Sequence, residues 1–280
     1  MPPTGPDAAP DCAEPIAGDD AWTAMLACVA GPGAGLFDGD GRHRGPIPAD
    51  PAAAELLDLY GPFLASGQAG PLVFAHLGQS LDGRIATDAG ESTYITCQAN
   101  LDHLHRMRAL ACAVVVGAGT VRHDDPRLTV RRVPGRHPRR IVIDTERRLD
   151  DRYRLFRDGE VETVVLCAHD RVDRATIGDA RILGVPRRGD TIDYAAVIDV
   201  LAGLGCRRIF VEGGGVTVSR FLAEGCLDRL QVAVAPMILG SGRPGLALPP
   251  LANLSEALRP PTRIFRMGDD VLFDCDVRRL

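Results

Sequence analysis

Lysine is absent from this sequence, and all 32 basic residues are arginine. The simplest explanation is a compositional bias of the genome. The absence excludes chemistry that depends on a lysine side chain, such as a Schiff base with a carbonyl substrate. The net charge is −5 and the sequence has no basic stripe, which argues against nucleic acid as a main partner.

Cysteine pairs with the spacing of metal or redox sites are also missing. The eight cysteines are scattered, and no two of them have CxxC spacing. We interpret them as reduced residues rather than as disulfide or zinc ligands. No apolar run approaches the length of a membrane span, and the first residues lack the basic start and apolar segment of a secretory signal. We therefore expect a cytoplasmic protein with no metal site and no membrane partner.

The sequence pattern divides the chain into two parts near residue 69. With 280 residues, 45% of them hydrophobic, it can form one large domain or two small ones. The first 20 residues are rich in Pro, Asp, Ala and Gly and are expected to be disordered or loosely attached. Helices are predicted over 20–29 and 51–66, with a Gly/Pro-rich loop between them. We take residues 1–68 as an N-terminal extension without a readable motif, and 69–280 as the functional domain.

From residue 71 onwards, apolar strand patterns alternate with helical ones. Strands are predicted at 72–77, 113–116, 140–143, 163–167, 208–211, 230–235, 262–267 and 271–277. Helices are predicted at 98–110, 194–204 and 216–224. This order predicts an α/β fold with a mixed, mostly parallel sheet flanked by helices and an antiparallel C-terminal strand pair. Ligands of such sheets bind beyond the carboxyl ends of the strands.

A glycine run at 213–215 joins a predicted strand to a predicted helix. Glycines allow close backbone approach, and a helix N-terminus offers free N–H groups, so the segment suits a phosphate or pyrophosphate. Its spacing is not that of G-x-G-x-x-G, and a simple turn is the alternative. Glu212, just before it, is either a ligand-binding carboxylate or a capping or ion-paired residue.

Two other strand ends carry similar polar groups. Residues 116–125 combine a glycine-rich turn with Thr120, which suits a phosphate, although a capped loop is the alternative. Thr145 with Arg147 and Arg148 could grip a ribose 2′-phosphate, or could be an exposed basic turn. Three such sites in one sheet fit a dinucleotide better than a single small ligand, and they leave the reaction open.

Several motifs, taken together, resemble one known family. They are SLDGRIA (80–86), GEST-IT (90–96), VGAGTV--DDP-LTVR (116–131), RIVIDT (140–145), FVEGGG (210–215) and APMILGSGRP (235–244). This set resembles the reductase domain of bacterial riboflavin biosynthesis, which has the dihydrofolate-reductase fold. The resemblance extends over about residues 71–278.

The resemblance implies an NADPH-dependent homodimer that reduces the ribosyl group of 5-amino-6-(5-phosphoribosylamino)uracil to a ribitylamino group. The substrate-side positions that it implies are His76, Ser92, Arg108, Leu128, Arg131 and Glu212. Arg108 and Arg131 would hold the 5′-phosphate, because a guanidinium matches phosphate oxygens. The cofactor-side positions that it implies are Gly78, Tyr94, Thr120, Asp124, Thr145, Gly214, Gly215, Val216, Thr217, Val218, Ser219 and Arg220. Asp124 or Glu212 would move the protons as the catalytic group, and which of them does so is left open.

The sequence departs from the family in three ways. The zinc-deaminase half is replaced by residues 1–68, which is compatible with a stand-alone reductase. In this sequence His76 stands where the family usually has a lysine on the first strand, and Tyr94 stands where it often has a tryptophan.

These departures leave two alternative functions. One is a reductase of the same fold acting on a related pyrimidine, either 2,5-diamino-6-ribosylamino-pyrimidinone phosphate or a secondary-metabolite precursor. The other is a non-catalytic nucleotide-binding paralogue.

Overall fold

The computed structural model describes residues 15–30, 36–65 and 70–278. The chain divides into two compact units, Met1–Gln68 and Ala69–Leu280. The start of the chain, expected to be disordered or loosely attached, lies outside the described residues up to residue 14. The helix predicted over 20–29 begins two residues earlier, at Gly18.

The first unit contains two helices, α1 (Gly18–Ala30) and α2 (Pro51–Tyr60). Asp50 caps α2, since its carboxylate accepts a hydrogen bond from the backbone N–H of Ala53 at 2.7 Å. The ring of Trp22 meets that of Tyr60 edge-on, with 5.7 Å between centroids. The α-helix predicted over 51–66 ends at residue 60 and continues as a 3-10 turn over Gly61–Phe63. Residue 66 lies outside the described residues.

The second unit alternates strands and helices as predicted. Its helices are α3 (Gln98–Leu110), α4 (Ala118–Asp124), α5 (Tyr194–Gly203) and α6 (Gly215–Ala223). Its strands are β1 (Leu72–Ser80), β2 (Arg84–Ala86), β3 (Ala113–Gly117), β4 (Arg139–Ile143), β5 (Thr163–Ala168), β6 (Thr176–Ile177), β7 (Ala180–Val185), β8 (Arg187–Arg188), β9 (Thr191–Ile192), β10 (Arg208–Glu212), β11 (Arg229–Ala235), β12 (Arg243–Pro244), β13 (Thr262–Met267) and β14 (Asp270–Asp276).

Ten of these strands form one sheet in the order β13-β14-β11-β1-β10-β3-β4-β5-β7-β6. The seven strands from β11 to β7 run parallel to one another, and the edge strand β6 runs antiparallel to β7. The C-terminal strands β13 and β14 pair with each other antiparallel, and β14 also runs antiparallel to β11. The predicted fold class, a mixed and mostly parallel sheet with an antiparallel C-terminal pair, is confirmed.

The central strands are hidden on both faces, as their unbroken apolar runs predicted. All six residues of β5 are buried, and so are the first four of β3. The core cluster joins these strands to apolar side chains of α5 and α6, including Val197, Leu201, Val218 and Phe221. This packing places the carboxyl ends of β1, β3, β4 and β10 side by side.

Two of the elements that were not predicted, α4 and β7, each contain a glycine. The segment 116–125, interpreted as a glycine-rich turn, contains the helix α4, which ends where Asp125 adopts a left-handed backbone with φ of 39°. Strand β7 contains Gly184, where a Cβ atom would meet the ring of His169 at 2.5 Å. Glycine is unfavourable in both kinds of element, so the pattern alone did not indicate them.

Among the described residues, no helix is long and apolar enough to cross a membrane.

Candidate active site

A cavity of about 930 Å³ opens at the carboxyl ends of the central parallel strands. It is lined by the ends of β1, β3, β4 and β10 and by the first residues of α4 and α6. This is the edge at which open α/β sheets bind ligands.

The glycine loop that leads into α6 forms one wall of the cavity. Gly213 has φ of 117°, a conformation that other residues rarely adopt. A Cβ atom on Gly215 would collide with the carbonyl oxygen of Gly245. The backbone N–H of Gly214 donates to Thr120 Oγ1 at 3.1 Å, which ties the loop to α4. Helix α6 begins without a side-chain cap, so its first N–H groups are available to an anionic ligand.

Glu212 ends β10 directly before this loop and is held by Arg108 of α3. Arg108 Nε donates to Glu212 Oε2 at 2.7 Å, and Arg108 Nη2 donates to Glu212 Oε1. The third guanidinium nitrogen, Nη1, donates to the carbonyl of Thr129 at 3.0 Å. Burial opposes the charge on Arg108, but the attraction and hydrogen bonds of Glu212 outweigh it and raise the arginine's pKa.

Positive charge collects beside this ion pair. Arg131 donates from Nη1 to Thr129 Oγ1 at 2.9 Å, and its backbone N–H donates to His105 Nδ1 at 2.8 Å. Burial and repulsion from Arg108 and Arg127 lower the pKa of Arg131. Burial, with repulsion from Arg108 and Arg131, also lowers the pKa of His105 to about 4. A region that disfavours additional cations favours an anion such as a phosphate.

His76 of β1 lies next to Glu212 in the sheet register and lines the cavity. Its side chain is buried. Burial and the neighbouring His103 lower the pKa of His76 far below its usual value, although a hydrogen bond with the Asn100 side chain opposes them. The ring is therefore a neutral hydrogen-bonding group.

Asp124 stands at the end of α4 on the cavity wall. Desolvation raises its pKa, and the charges of His123 and Arg243 only partly offset this. A carboxyl group with a raised pKa keeps its proton to a higher pH than an exposed aspartate does, which suits a proton donor.

The far end of the cavity is lined by Thr145, Arg148 and Arg220. The Asp144 carboxylate shapes this turn by accepting the backbone N–H of Arg148 at 3.0 Å. Arg147 has a buried side chain, lies 3.6 Å from Asp173 and does not line the cavity. Of the two arginines considered for a ribose 2′-phosphate, Arg148 lines the cavity and Arg147 does not.

One side of the cavity is closed by a loop that Asp82 holds. The Asp82 carboxylate accepts the Ser80 hydroxyl at 2.5 Å and the backbone N–H groups of Leu239 and Gly240 at 3.1 and 2.6 Å. The Ser80 hydrogen bond, with those of the two N–H groups, lowers the pKa of Asp82 to about 2. Just beyond, Arg243 and Pro244 line the cavity and pair with β2.

Residues 71–272 match the family model of the RibD C-terminal domain. The chain belongs to this family. The resemblance inferred from the motifs is confirmed.

Two relatives show how the match is distributed. The chain is 32% identical over 219 residues to the 2,5-diamino-6-ribosylamino-4(3H)-pyrimidinone 5′-phosphate reductase of Methanothermobacter thermautotrophicus, covering 74% of this chain and 99% of that protein. It is also 32% identical over 202 residues to the riboflavin biosynthesis protein RibD of Escherichia coli, covering 67% of this chain and 54% of that protein. The chain thus matches the whole of the first relative and about half of the second.

Solved structures share the fold. Acinetobacter baumannii RibD superposes with a TM-score of 0.64 at 24% identity, over 80% of this chain and 62% of that one. The riboflavin biosynthesis reductase Rib7 of Saccharomyces cerevisiae superposes with a TM-score of 0.61 at 21% identity, over 76% of this chain and 92% of that one. Both support the mixed sheet described above for the RibD C-terminal domain.

The structure gathers most of the predicted site residues of this RibD C-terminal domain around the cavity. Those that line it are His76, Gly78, Ser92, Tyr94, Thr120, Asp124, Thr145, Glu212, Gly214, Gly215, Val216, Thr217 and Arg220. The role of each of these residues stays a prediction.

Five predicted residues do not line the cavity: Arg108, Leu128, Arg131, Val218 and Ser219. Val218 is fully buried in the core, and Ser219 Oγ accepts the backbone N–H of Ala247 at 2.8 Å. Leu128 is buried in a left-handed conformation with φ of 56°. Arg108 uses all three side-chain nitrogens within the protein. These contacts position Glu212, and a role of Arg108 in holding the 5′-phosphate stays a prediction.

Asn100 and Arg127 were not singled out from the sequence. Asn100 lines the cavity, and Arg127 adds to the charge near Arg131. A signal for Asn100 existed. It lies three residues before His103 on α3, and polar residues at this spacing share a helix face.

Proposed function

We propose that this chain is the NADPH-dependent reductase that converts the ribosyl group of 5-amino-6-(5-phosphoribosylamino)uracil to a ribitylamino group in riboflavin biosynthesis. Membership of the RibD C-terminal domain family makes it a riboflavin-pathway pyrimidine reductase. One observation carries the proposal at this site: Glu212 on the substrate side and the Gly213–Gly215 loop on the cofactor side are consecutive in the chain and line the same cavity.

The residues present fit NADPH. A glycine loop in which a Cβ would collide with neighbouring backbone is a cradle for a closely approaching ligand. We assign Thr120 and residues 214–217 to the pyrophosphate, and Thr145, Arg148 and Arg220 to the phosphorylated ribose. Gly78 and Tyr94 complete the cofactor side. When bound, NADPH supplies a hydride.

On the substrate side, Arg131 with Arg127 would hold the 5′-phosphate, supported by the excess positive charge there. Ser92 and Glu212 would bind hydroxyl groups of the ribose, and Arg108 would fix the orientation of Glu212. Opening of the ribose ring gives a C1′=N bond, and reduction adds a hydride to C1′ and a proton to the nitrogen. Asp124, with its raised pKa, is the proposed source of that proton.

A second substrate is favoured by a specific observation. The chain covers 99% of the length of a relative named 2,5-diamino-6-ribosylamino-4(3H)-pyrimidinone 5′-phosphate reductase. This compound carries the same phosphoribosylamino group, so the phosphate and hydride geometry would be unchanged. Only the ring substituents differ.

We extend the proposal to a homodimer in the cytoplasm. Ile264 on the edge strand β13 is 65% exposed, and an apolar residue on a sheet edge suits an interface between copies. Sedimentation velocity checks the first part and cell fractionation the second. A monomer at micromolar concentration or a membrane-bound fraction would contradict them.

The deciding experiment is turnover of each pyrimidine by the purified full chain, followed by NADPH absorbance and product mass. NADPH consumption with a gain of two hydrogens in the product supports the reductase, and the faster compound is its substrate. Tight NADPH binding without turnover of either compound indicates another pyrimidine. Neither turnover nor NADPH binding indicates a non-catalytic paralogue.

A further inference from the structure

The segment that leads to Arg131 is buried although it belongs to no helix or strand. Leu128, Thr129 and Val130 are buried, and no backbone–backbone hydrogen bond involves residues 127–131 within the described part of the chain. A buried backbone that secondary structure does not satisfy needs other partners, because an unpaired N–H or C=O group is costly. Side chains supply those partners here.

Two histidines accept the backbone N–H groups at the end of this segment. The N–H of Arg131 donates to His105 Nδ1 at 2.8 Å, and the N–H of Val130 donates to His137 Nδ1 at 3.1 Å. A ring nitrogen that accepts a hydrogen bond carries no proton, so His105 is neutral. Burial, with repulsion from Arg108 and Arg131, lowers the pKa of His105 to about 4 and keeps it neutral at pH 7.

The guanidinium of Arg131 is held separately, by Thr129. Its Nη1 donates to Thr129 Oγ1 at 2.9 Å, whereas Nε and Nη2 make no hydrogen bond in the part of the chain that the structure describes. The Thr129 carbonyl in turn accepts from Arg108 Nη1 at 3.0 Å. Arg131 is therefore fixed at its backbone by His105 and at its guanidinium by Thr129, and it keeps two nitrogens for a ligand.

Helix α3 connects this arrangement to the carboxylate at the cavity. His105 and Arg108 are three residues apart on α3, a spacing that places side chains on the same helix face. Arg108 Nε donates to Glu212 at 2.7 Å. Burial and the charge of Arg108 lower the pKa of Arg131, and Glu212 opposes this, so the three groups lie within electrostatic range. One helix face thus sets the positions of Glu212 and Arg131 together.

We propose that His105 and Thr129 are positioning residues, which hold Arg131 so that its two remaining nitrogens meet the 5′-phosphate while Glu212 meets the ribose. The proposal rests on the proposed function. The ribose and its 5′-phosphate are covalently joined, so the protein groups that bind them must keep a fixed separation. A bidentate contact between guanidinium and phosphate depends on orientation as well as charge. Loss of that orientation weakens binding even where the charge remains.

The test separates orientation from charge, because the replaced side chains are neutral. His105→Leu removes the acceptor of the Arg131 N–H, and His105→Asn provides one again, since the oxygen of an asparagine is as far along the side chain as Nδ1 of a histidine. Thr129→Val removes the hydroxyl and keeps the shape. His169→Leu changes an exposed histidine outside the cavity and is the matched control. His105→Leu is also combined with Arg131→Ala.

For each variant we would measure KM and kcat for both pyrimidine nucleotides at saturating NADPH, the dissociation constant of NADPH, and thermal unfolding. His105→Leu should raise KM for the nucleotide about 10-fold, as expected when a backbone N–H loses its partner, with an unchanged NADPH dissociation constant. Thr129→Val should raise KM in the same way. His105→Asn should return KM close to the wild-type value, and His169→Leu should behave as wild type.

The double variant decides whether His105 acts through Arg131. In the Arg131→Ala background His105→Leu should cause no further rise in KM, because the residue that it positions has lost its guanidinium. The same fold-rise in both backgrounds would overturn the proposal, and so would a folded His105→Leu with the wild-type KM or a His105→Asn no better than His105→Leu.

If His105→Leu fails to fold, Thr129→Val carries the test, and an unchanged KM in that variant would overturn the proposal. All of these outcomes leave the reductase assignment standing. Absence of turnover of either pyrimidine by the wild type would instead overturn the proposed function, and the positioning role with it.

Discussion

Arg108 and Glu212 form a two-pronged ion pair although 104 residues separate them in the chain. The pair joins α3 to the end of β10, and Arg108 Nη1 extends the link to the Thr129 carbonyl. Both side chains are largely buried. The orientation of the carboxylate at the cavity is therefore set by a residue that does not line it.

Replacing one partner of this pair should be costly. Arg108→Met leaves Glu212 without its partner, and breaking a buried ion pair lowers the free energy of unfolding by about 3–5 kcal/mol. The double variant Arg108→Met/Glu212→Leu should recover most of that loss and remain inactive. Denaturant unfolding with turnover checks both. A single variant as stable as wild type would contradict a buried, coupled pair.

Arg131→Ala should weaken substrate binding far more than NADPH binding, because it removes a cation from the proposed 5′-phosphate site. We expect KM for the pyrimidine nucleotide to rise about 10- to 100-fold. Arg132→Ala is the matched control, since Arg132 pairs with Asp102 on the surface. Equal losses for substrate and cofactor would rule out the phosphate assignment.

The two glycines that open the cofactor loop should differ in their tolerance of a side chain. Gly213 has φ of 117°, and its Cβ would lie 2.9 Å from Thr120 Oγ1. Gly213→Ala should lower the free energy of unfolding by about 1–2 kcal/mol. A Cβ atom at Gly214 would lie 3.4 Å from its nearest neighbour, Thr120 Oγ1. The free energy of unfolding of Gly214→Ala should therefore be within about 0.5 kcal/mol of the wild-type value. Identical unfolding curves for the two variants would refute this.

Acid should destabilise the protein partly through His103. Burial lowers its pKa from 6.5 to about 4 in the folded state, although hydrogen bonding to Gln231 opposes this. Between these values the unfolded chain binds a proton that the folded chain does not, so stability is full above pH 6.5 and falls towards pH 4. One such group contributes up to about 1.4 kcal/mol per pH unit.

The contribution of His103 to the pH dependence of stability can be measured by urea unfolding at a series of pH values. His103→Gln should reduce the pH slope of stability, whereas exposed His169→Gln should keep the wild-type slope. An unchanged slope in His103→Gln would show that other groups account for the acid sensitivity.

Cofactor preference should depend on Arg148 but not on Arg147. Arg148→Ala should weaken NADPH binding about 10-fold and leave NADH binding unchanged, since only NADPH carries a 2′-phosphate. Arg147→Ala alters a buried arginine outside the cavity, so it should affect stability without changing the ratio of the two affinities. Fluorescence titration with both nucleotides measures this. A parallel loss of NADPH and NADH affinity in Arg148→Ala would exclude the 2′-phosphate role.

The sheet was predictable because its strands have strongly apolar, uninterrupted runs. Strands β3, β4, β5 and β10 lie within a residue of their predicted bounds, since a strand buried on both faces tolerates few polar residues. Helix α4 and strand β7 were not predicted because Gly119 and Gly184 weaken their patterns.

The sequence predicted many of the residues that line the site, but it did not predict which side chains contact each other there. The motifs indicated Glu212 and the glycine loop, and both line the cavity. The ion pair between Arg108 and Glu212 and the place of Asn100 at the cavity depend on which helices and strands become neighbours. That information lies in the tertiary arrangement, not in local spacing.

Asp82 ties residues 239–240 to the end of β1, because its carboxylate accepts the Ser80 hydroxyl as well as the backbone N–H groups of Leu239 and Gly240. Ser80 is the last residue of β1, and Arg243 and Pro244, a few residues further along the chain, line the cavity. One carboxylate thus anchors this part of the cavity wall to a strand of the main sheet.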